Sequence, residues 1–95
     1  MSFLARFRRQ KEDPEVLRRR LLRQSGRIGD ATVIETTRDD GGQVMLAYSY
    51  TVGGVDYQAF QLLDEEQLRR LHDYSPDARV ELRYDPRRPA NSFVV

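Results

Sequence analysis

The sequence contains no cysteine, only one histidine and no long apolar run, and each shortage removes a class of explanation. Without cysteine there is no disulfide framework, no thiolate zinc ligand and no cysteine nucleophile, and nothing in the composition argues for an oxidising compartment. No window approaches the roughly twenty apolar residues of a membrane-spanning helix. The stretch from Met1 to Lys11 is arginine-rich like the n-region of a secretion signal, but the apolar segment of roughly seven to fifteen residues that secretion requires does not follow. A cytoplasmic chain is therefore expected, with a peripheral place on the inner face of a membrane left open.

The single histidine, His72, stands beside Asp73 on a short predicted helix. A general base needs a nucleophile or substrate group within hydrogen-bond reach, and the sequence places none there, so His72 reads as a solvated or capping residue. Asp39-Asp40 and Glu65-Glu66 lack the spacing of a calcium loop. Gly41-Gly42 and Gly53-Gly54 fall between predicted strands with no lysine following, which makes them turns rather than phosphate loops. No catalytic residue, metal ligand or cofactor is expected, and the chain reads as a binding module.

Charge is present in abundance but unevenly placed. The whole chain carries +1, yet residues 1–24 hold eight basic side chains against three acidic ones, a local excess of +5 that leaves −4 on the remainder. Any polyanion or anionic lipid would meet the N-terminal part first. Within it, Phe3, Leu4 and Phe7 fall on one side of a short amphipathic helix, with Arg6, Arg8 and Arg9 around the rest. Such a helix is under three turns long and needs a surface to fold against. These six residues are the candidate attachment site: apolar side chains inserting at an anionic bilayer while guanidinium groups meet headgroups, or docking into a protein groove, or folding back over Met45, Phe60 and Leu62.

A second helix is predicted from Asp13-Pro14-Glu15, an N-cap, a proline at the first helical position and an acid at the positive helix end, to Ser25-Gly26. Its apolar stripe is Val16, Leu17 and Leu21, with Leu22 off the stripe. Residues 1–26 thus form a basic helical arm, and 27–95 a small β domain.

From Ile28 the period changes to two, and Asp39-Asp40-Gly41-Gly42 closes a first strand. Val44 to Val52 and Val55 to Leu62 flank Gly53-Gly54, the signature of a two-residue type I′ hairpin. That turn pairs Val52 with Val55, Tyr50 with Tyr57 and Tyr48 with Ala59 on an apolar face. On the other face Thr51 meets Asp56 and Ser49 meets Gln58, but Ala47 meets Phe60 and Met45 meets Leu62. This second apolar patch needs a cover, and the short helix begun by Asp64-Glu65-Glu66-Gln67, a capping box, is the candidate. Strands at Arg79 to Tyr84 and Ser92 to Val95 follow, separated by a stiff Asp85-Pro86, Arg88-Pro89 turn.

The order of strands and helix predicts a mainly β fold, a small five-stranded barrel of the oligonucleotide/oligosaccharide-binding (OB-like) type with an SH3-like barrel as alternative, and one short helix between strands 3 and 4. Tyr48, Tyr50, Tyr57 and Phe60 could serve as a base-stacking platform for single-stranded nucleic acid, although the register sends the three tyrosines inward. Arg79, Arg83, Arg87 and Arg88 are a candidate anion-binding group that keeps this alternative open.

Two motifs carry a family resemblance. Tyr48-x-Tyr50-x-Val52-x-Gly54-x-x-Tyr57 and Val80-x-Leu82-x-Tyr84-Asp85-Pro86-x-x-Pro89 resemble, in order and over about Gly29 to Val95, the bacterial domain of unknown function 3592. The resemblance implies a small β-rich module without established catalytic residues, common in membrane-associated proteins. The flanking transmembrane helices typical of such proteins are missing from this sequence, and the basic arm stands where an anchor would be. Together these features predict a non-enzymatic accessory or adaptor module, held to a protein complex or to an anionic membrane surface through residues 1–24.

Overall fold

The structure, a computed structural model, describes residues 13–95. Helix α1 (Pro14–Ser25) leads into strand β1 (Arg27–Arg38), the hairpin of β2 (Val44–Val52) and β3 (Val55–Leu62), a one-turn helix α2 (Glu65–Leu68) with a 3₁₀ turn (Leu71–Tyr74), and strands β4 (Arg79–Asp85) and β5 (Arg88–Val94). All pairings are antiparallel, in the order β3-β2-β1-β4-β5. The sheet curls into a nearly closed five-stranded barrel, with β3 and β5 as its meeting edges.

Local chemistry explains most of the element ends. Asp13 caps α1 by accepting from the Glu15 N–H at 2.7 Å, with proline at the first turn. Gly53 and Gly54 take positive φ of 59° and 80°, the geometry of a type I′ turn, and the β2–β3 register is the one read from the sequence, from Val52↔Val55 to Met45↔Leu62. Asp64 and Gln67 form the reciprocal capping box of α2. The last hairpin departs from expectation. Its turn is only Pro86-Arg87, and β5 starts at Arg88. Pro89 is accommodated because it sits in the irregular stretch between the pairs Asp85↔Arg88 and Tyr84↔Ser92, where a missing N–H breaks no regular ladder.

The interior is built from alternate residues of β1, β2, β4 and β5, namely Ala31 and Val33, Leu46, Tyr48 and Tyr50, Leu82 and Val94, with Tyr57 and Ala59 of β3 packed against them and Leu63 and Tyr74 closing one end. The tyrosines stack inward, Tyr48 on Tyr50 at 5.8 Å and Tyr50 on Tyr57 at 5.2 Å between centroids. Their hydroxyls are satisfied, Tyr48 by Ser92 Oγ at 2.9 Å and Tyr50 by the Pro89 carbonyl at 2.6 Å. Burial pushes both phenols above their ordinary pKa. Among the described residues no buried side-chain nitrogen or oxygen lacks a partner.

Closure depends on one side chain. The Gln61 amide donates to the Val94 carbonyl at 2.9 Å and accepts from the Val94 N–H at 2.7 Å, so it does for β5 what a neighbouring backbone would do. Gln67 adds a second donor to the same carbonyl at 2.9 Å.

Candidate functional site

The six candidate attachment residues, Phe3, Leu4, Arg6, Phe7, Arg8 and Arg9, lie outside the described residues. The helix that follows them in sequence, α1, is described. On this helix Glu15, Arg18, Arg19, Leu22 and Arg23 share one face, and that face is the docked one. Leu22 is the helix's buried residue, while Val16, Leu17 and Leu21 stay at the surface. The stripe expected from hydropathy is therefore not the buried one.

The reason lies in β5. Val94 points into the barrel, so Phe93 points out, and it is nevertheless 1% exposed because α1 covers it. The guanidinium groups of Arg19 and Arg23 sit 5.8 and 5.1 Å from the centre of its ring. Arg18 donates to the Ser92 carbonyl at 2.7 Å and to Asn91 Oδ1 at 3.0 Å, and Arg19 donates to the Leu62 carbonyl at 2.9 Å. In return Arg83 donates to the Arg23 carbonyl at 2.8 Å. Glu15 holds Arg18 and Arg19 in place at 2.8 and 2.7 Å, and the Arg18 hydrogen bond, followed by that of Arg19, lowers its carboxyl to a pKa of about 2. Three of the arm's arginines thus clamp the helix across the β3 and β5 edges. At the helix exit, a β-carbon on Gly26 would meet the Leu22 carbonyl oxygen at 2.5 Å, so the close turn into β1 requires glycine there.

The apolar patch on the outer face of β2 and β3 is not covered by α2, contrary to expectation. The α2 region instead turns inward and closes the barrel end, where Leu68 and Leu71 pack against the core. Phe60 remains 69% exposed, with Met45 and Leu62 also open to solvent. Phe60 lies opposite Ala47, Leu62 opposite Met45, and Val16 of α1 shares with Leu62, Leu63 and Asp13 a shallow cleft of about 410 Å³. The patch therefore continues from the sheet onto the start of α1. Ile34 is exposed too, displaced by a bulge between Val33 and Glu35.

Of the four arginines proposed for an anion, Arg79 and Arg87 line different clefts. Arg83 is engaged with Glu81 at 3.1 Å and with the Arg23 carbonyl. Arg79 lies toward the other end of β4 beside Thr32, lining a polar concavity of about 660 Å³ with Asp30, Asp56 and Tyr57. Arg87 lines a separate cleft of about 580 Å³ between α1 and the β4–β5 turn, and Arg88 opens β5. His72 is exposed and stands 3.3 Å from Asp73. Among the described residues no three metal-binding side chains come together, and no helix is long and apolar enough to cross a membrane.

Sequence reasoning missed Phe93 and Gln61. Phe93-Val94-Val95 is a continuous apolar run, which is the pattern of a strand covered on both faces, and that signal was available. Gln61 follows Tyr57 and Ala59 on the inward face by alternation, opposite Leu46, but nothing in the sequence names Val94 as its partner.

No curated protein and no solved structure matches the chain. The sequence profile of one family matches residues 24–95, from the end of α1 through the whole barrel, a span well over half of the chain. The chain accordingly belongs to the family described as domain of unknown function DUF3592.

Proposed function

We propose that this protein is a non-enzymatic accessory or adaptor module, in which the barrel is a rigid platform and the N-terminal arm attaches it to a protein complex or to the cytoplasmic face of a membrane. The observation that carries this reading is the coincidence, in residues 1–11, of an apolar stripe (Phe3, Leu4, Phe7) with Arg6, Arg8, Arg9 and Lys11. Docking of α1 adds support. Because Arg18, Arg19 and Arg23 hold that helix against the barrel, residue 13, to which the preceding segment is joined in sequence, is a fixed point. A rigid mount of this kind spares the attachment the entropy of an unanchored linker.

The single-stranded nucleic-acid alternative is less well supported, since Tyr48 and Tyr50 belong to the core and Arg79 and Arg87 line different clefts. The test is deletion of residues 1–11. Loss of both liposome co-sedimentation and recovery of complexes from the native cells is not required, but loss of at least one is expected. If both are unchanged, the reading is wrong.

A further inference from the structure

The hydropathy stripe of α1 is left outside the barrel, and one of its members meets another element there. Leu21, 50% exposed, lines with Leu22 the α1 side of the cleft of about 580 Å³, and Pro86, Arg87 and Asn91 line the side of the β4–β5 turn. We infer that this cleft binds a single-chain amphiphile with a carboxylate head, the chain lying on Leu21, Leu22 and Pro86 and the head on Arg87 and Asn91.

Three observations carry it. The first is size. The volume falls in the lower half of the range of roughly 300–1,000 Å³ common for small-molecule sites, which suits one chain better than a two-chain lipid. The second is the apolar wall. Leu22 is held by the docking of α1 and Pro86 by its own ring, so the two sides of the cleft stay apart instead of collapsing on each other. A chain laid between them takes Leu21 out of water without moving the helix.

The third is the set of unmatched polar groups. Arg18 also lines the cleft, but it is committed to Glu15, to Asn91 Oδ1 at 3.0 Å and to the Ser92 carbonyl at 2.7 Å. Because Asn91 accepts from Arg18 through its oxygen, its amide NH₂ is left as a donor. Asp85, an acid of the lining, is turned to the backbone and accepts from the Arg87 N–H at 2.9 Å. The Arg87 guanidinium has no hydrogen bond or ion pair among the described residues. The groups awaiting a partner are thus a guanidinium fork and an amide donor beside an apolar wall. A carboxylate accepts from both, and the chain attached to it matches the wall. Arg27 and Arg88, which follow Gly26 and Arg87 in sequence, give the surroundings the same sign of charge.

The test titrates the ¹⁵N-labelled full chain with sodium decanoate, kept below micelle formation, and follows amide shifts by NMR. Saturable shifts are expected at Leu21, Leu22, Gly26, Arg87 and Asn91, with the β2–β3 hairpin unmoved. Arg87→Gln should weaken binding about tenfold, the worth of a lost charge-assisted hydrogen bond. Leu21→Asp should abolish it, and unchanged hairpin shifts in both variants show that the barrel stays folded. Decyltrimethylammonium, with the same chain and the opposite charge, should bind more weakly than decanoate. Equal binding of the two amphiphiles overturns the proposal, and so does an Arg87→Gln variant that binds decanoate as the native chain does. It also fails if no shift saturates, if the shifts centre on Phe60, or if phosphatidylglycerol vesicles give a response that dissolved decanoate does not, since the face is then a membrane contact. Attachment is read separately on the deletion of residues 1–11, so either reading can fail while the other stands.

Discussion

Gln61 and Val94 illustrate how one side chain can stand in for a strand. Val94 is fully buried, and its N–H has the Gln61 amide oxygen as partner, whereas its carbonyl has both Gln61 and Gln67. Gln61→Ala should leave that N–H buried and unmatched, lowering stability by about 1–3 kcal/mol. Gln67→Ala should do less, because the carbonyl keeps one donor. Urea midpoints of the two variants check the order, and an equal effect would mean the closure does not depend on Gln61. Glu15 gives a prediction in pH. Its folded pKa of about 2 lies below the ordinary 4.5, so its contribution is fully present above 4.5 and is lost as pH falls through about 2. Glu15→Gln should therefore lose less stability than the native chain across that window. The difference will be modest, since the carboxylate is 46% exposed and solvent screens its pairs. Unfolding at stepped pH measures it.

At the scale of the element, α1 is held by arginine stems and one leucine rather than by its leucine stripe. Leu22→Ala should lower stability by about 2 kcal/mol or more. Leu21→Ala, at a half-exposed position, should change it by less than about 0.5 kcal/mol. Chemical denaturation of the two variants settles which face is docked, and the opposite ranking would contradict the packing described here. Elements whose ends are set by neighbours in sequence were legible beforehand: the Asp13 and Asp64 caps, the Gly53-Gly54 turn and the full β2–β3 register. The buried face of α1 was not, because hydropathy ranks arginine as polar. Its methylene stem and planar guanidinium can still cover an aromatic ring when carbonyl acceptors lie within reach. Here those acceptors come from Leu62 and Ser92, 43 and 74 residues away in sequence.

The whole molecule combines a closed barrel with an asymmetric charge. Residues 1–24 carry the positive excess, but the docked arginines of α1 are partly neutralised by Glu15 and by carbonyls, so the segment before Asp13 should dominate attraction to an anionic surface. Vesicle binding, measured by co-sedimentation with anionic lipid, should weaken as salt is raised from 0.1 to 1 M, where the screening length falls from about 10 to about 3 Å. Binding indifferent to salt would point to purely apolar attachment. Exposure of Phe60 belongs to this scale as well. The sequence announced an apolar outer patch, but whether α2 covers it depends on where the chain goes after β3, and α2 closes the barrel end instead.

By itself the sequence determined the mainly β architecture, the strand pairing of the central hairpin, the inward tyrosines and the basic apolar start of the chain. Each follows from alternation, turn chemistry or charge over a few neighbouring residues. Tertiary structure alone decided that Phe93 is roofed by arginines, that Gln61 closes the barrel, that Arg79 and Arg87 line different clefts, and that Phe60 faces solvent. Those outcomes depend on which distant segments share a surface once the sheet has curled, and no local pattern encodes that geometry.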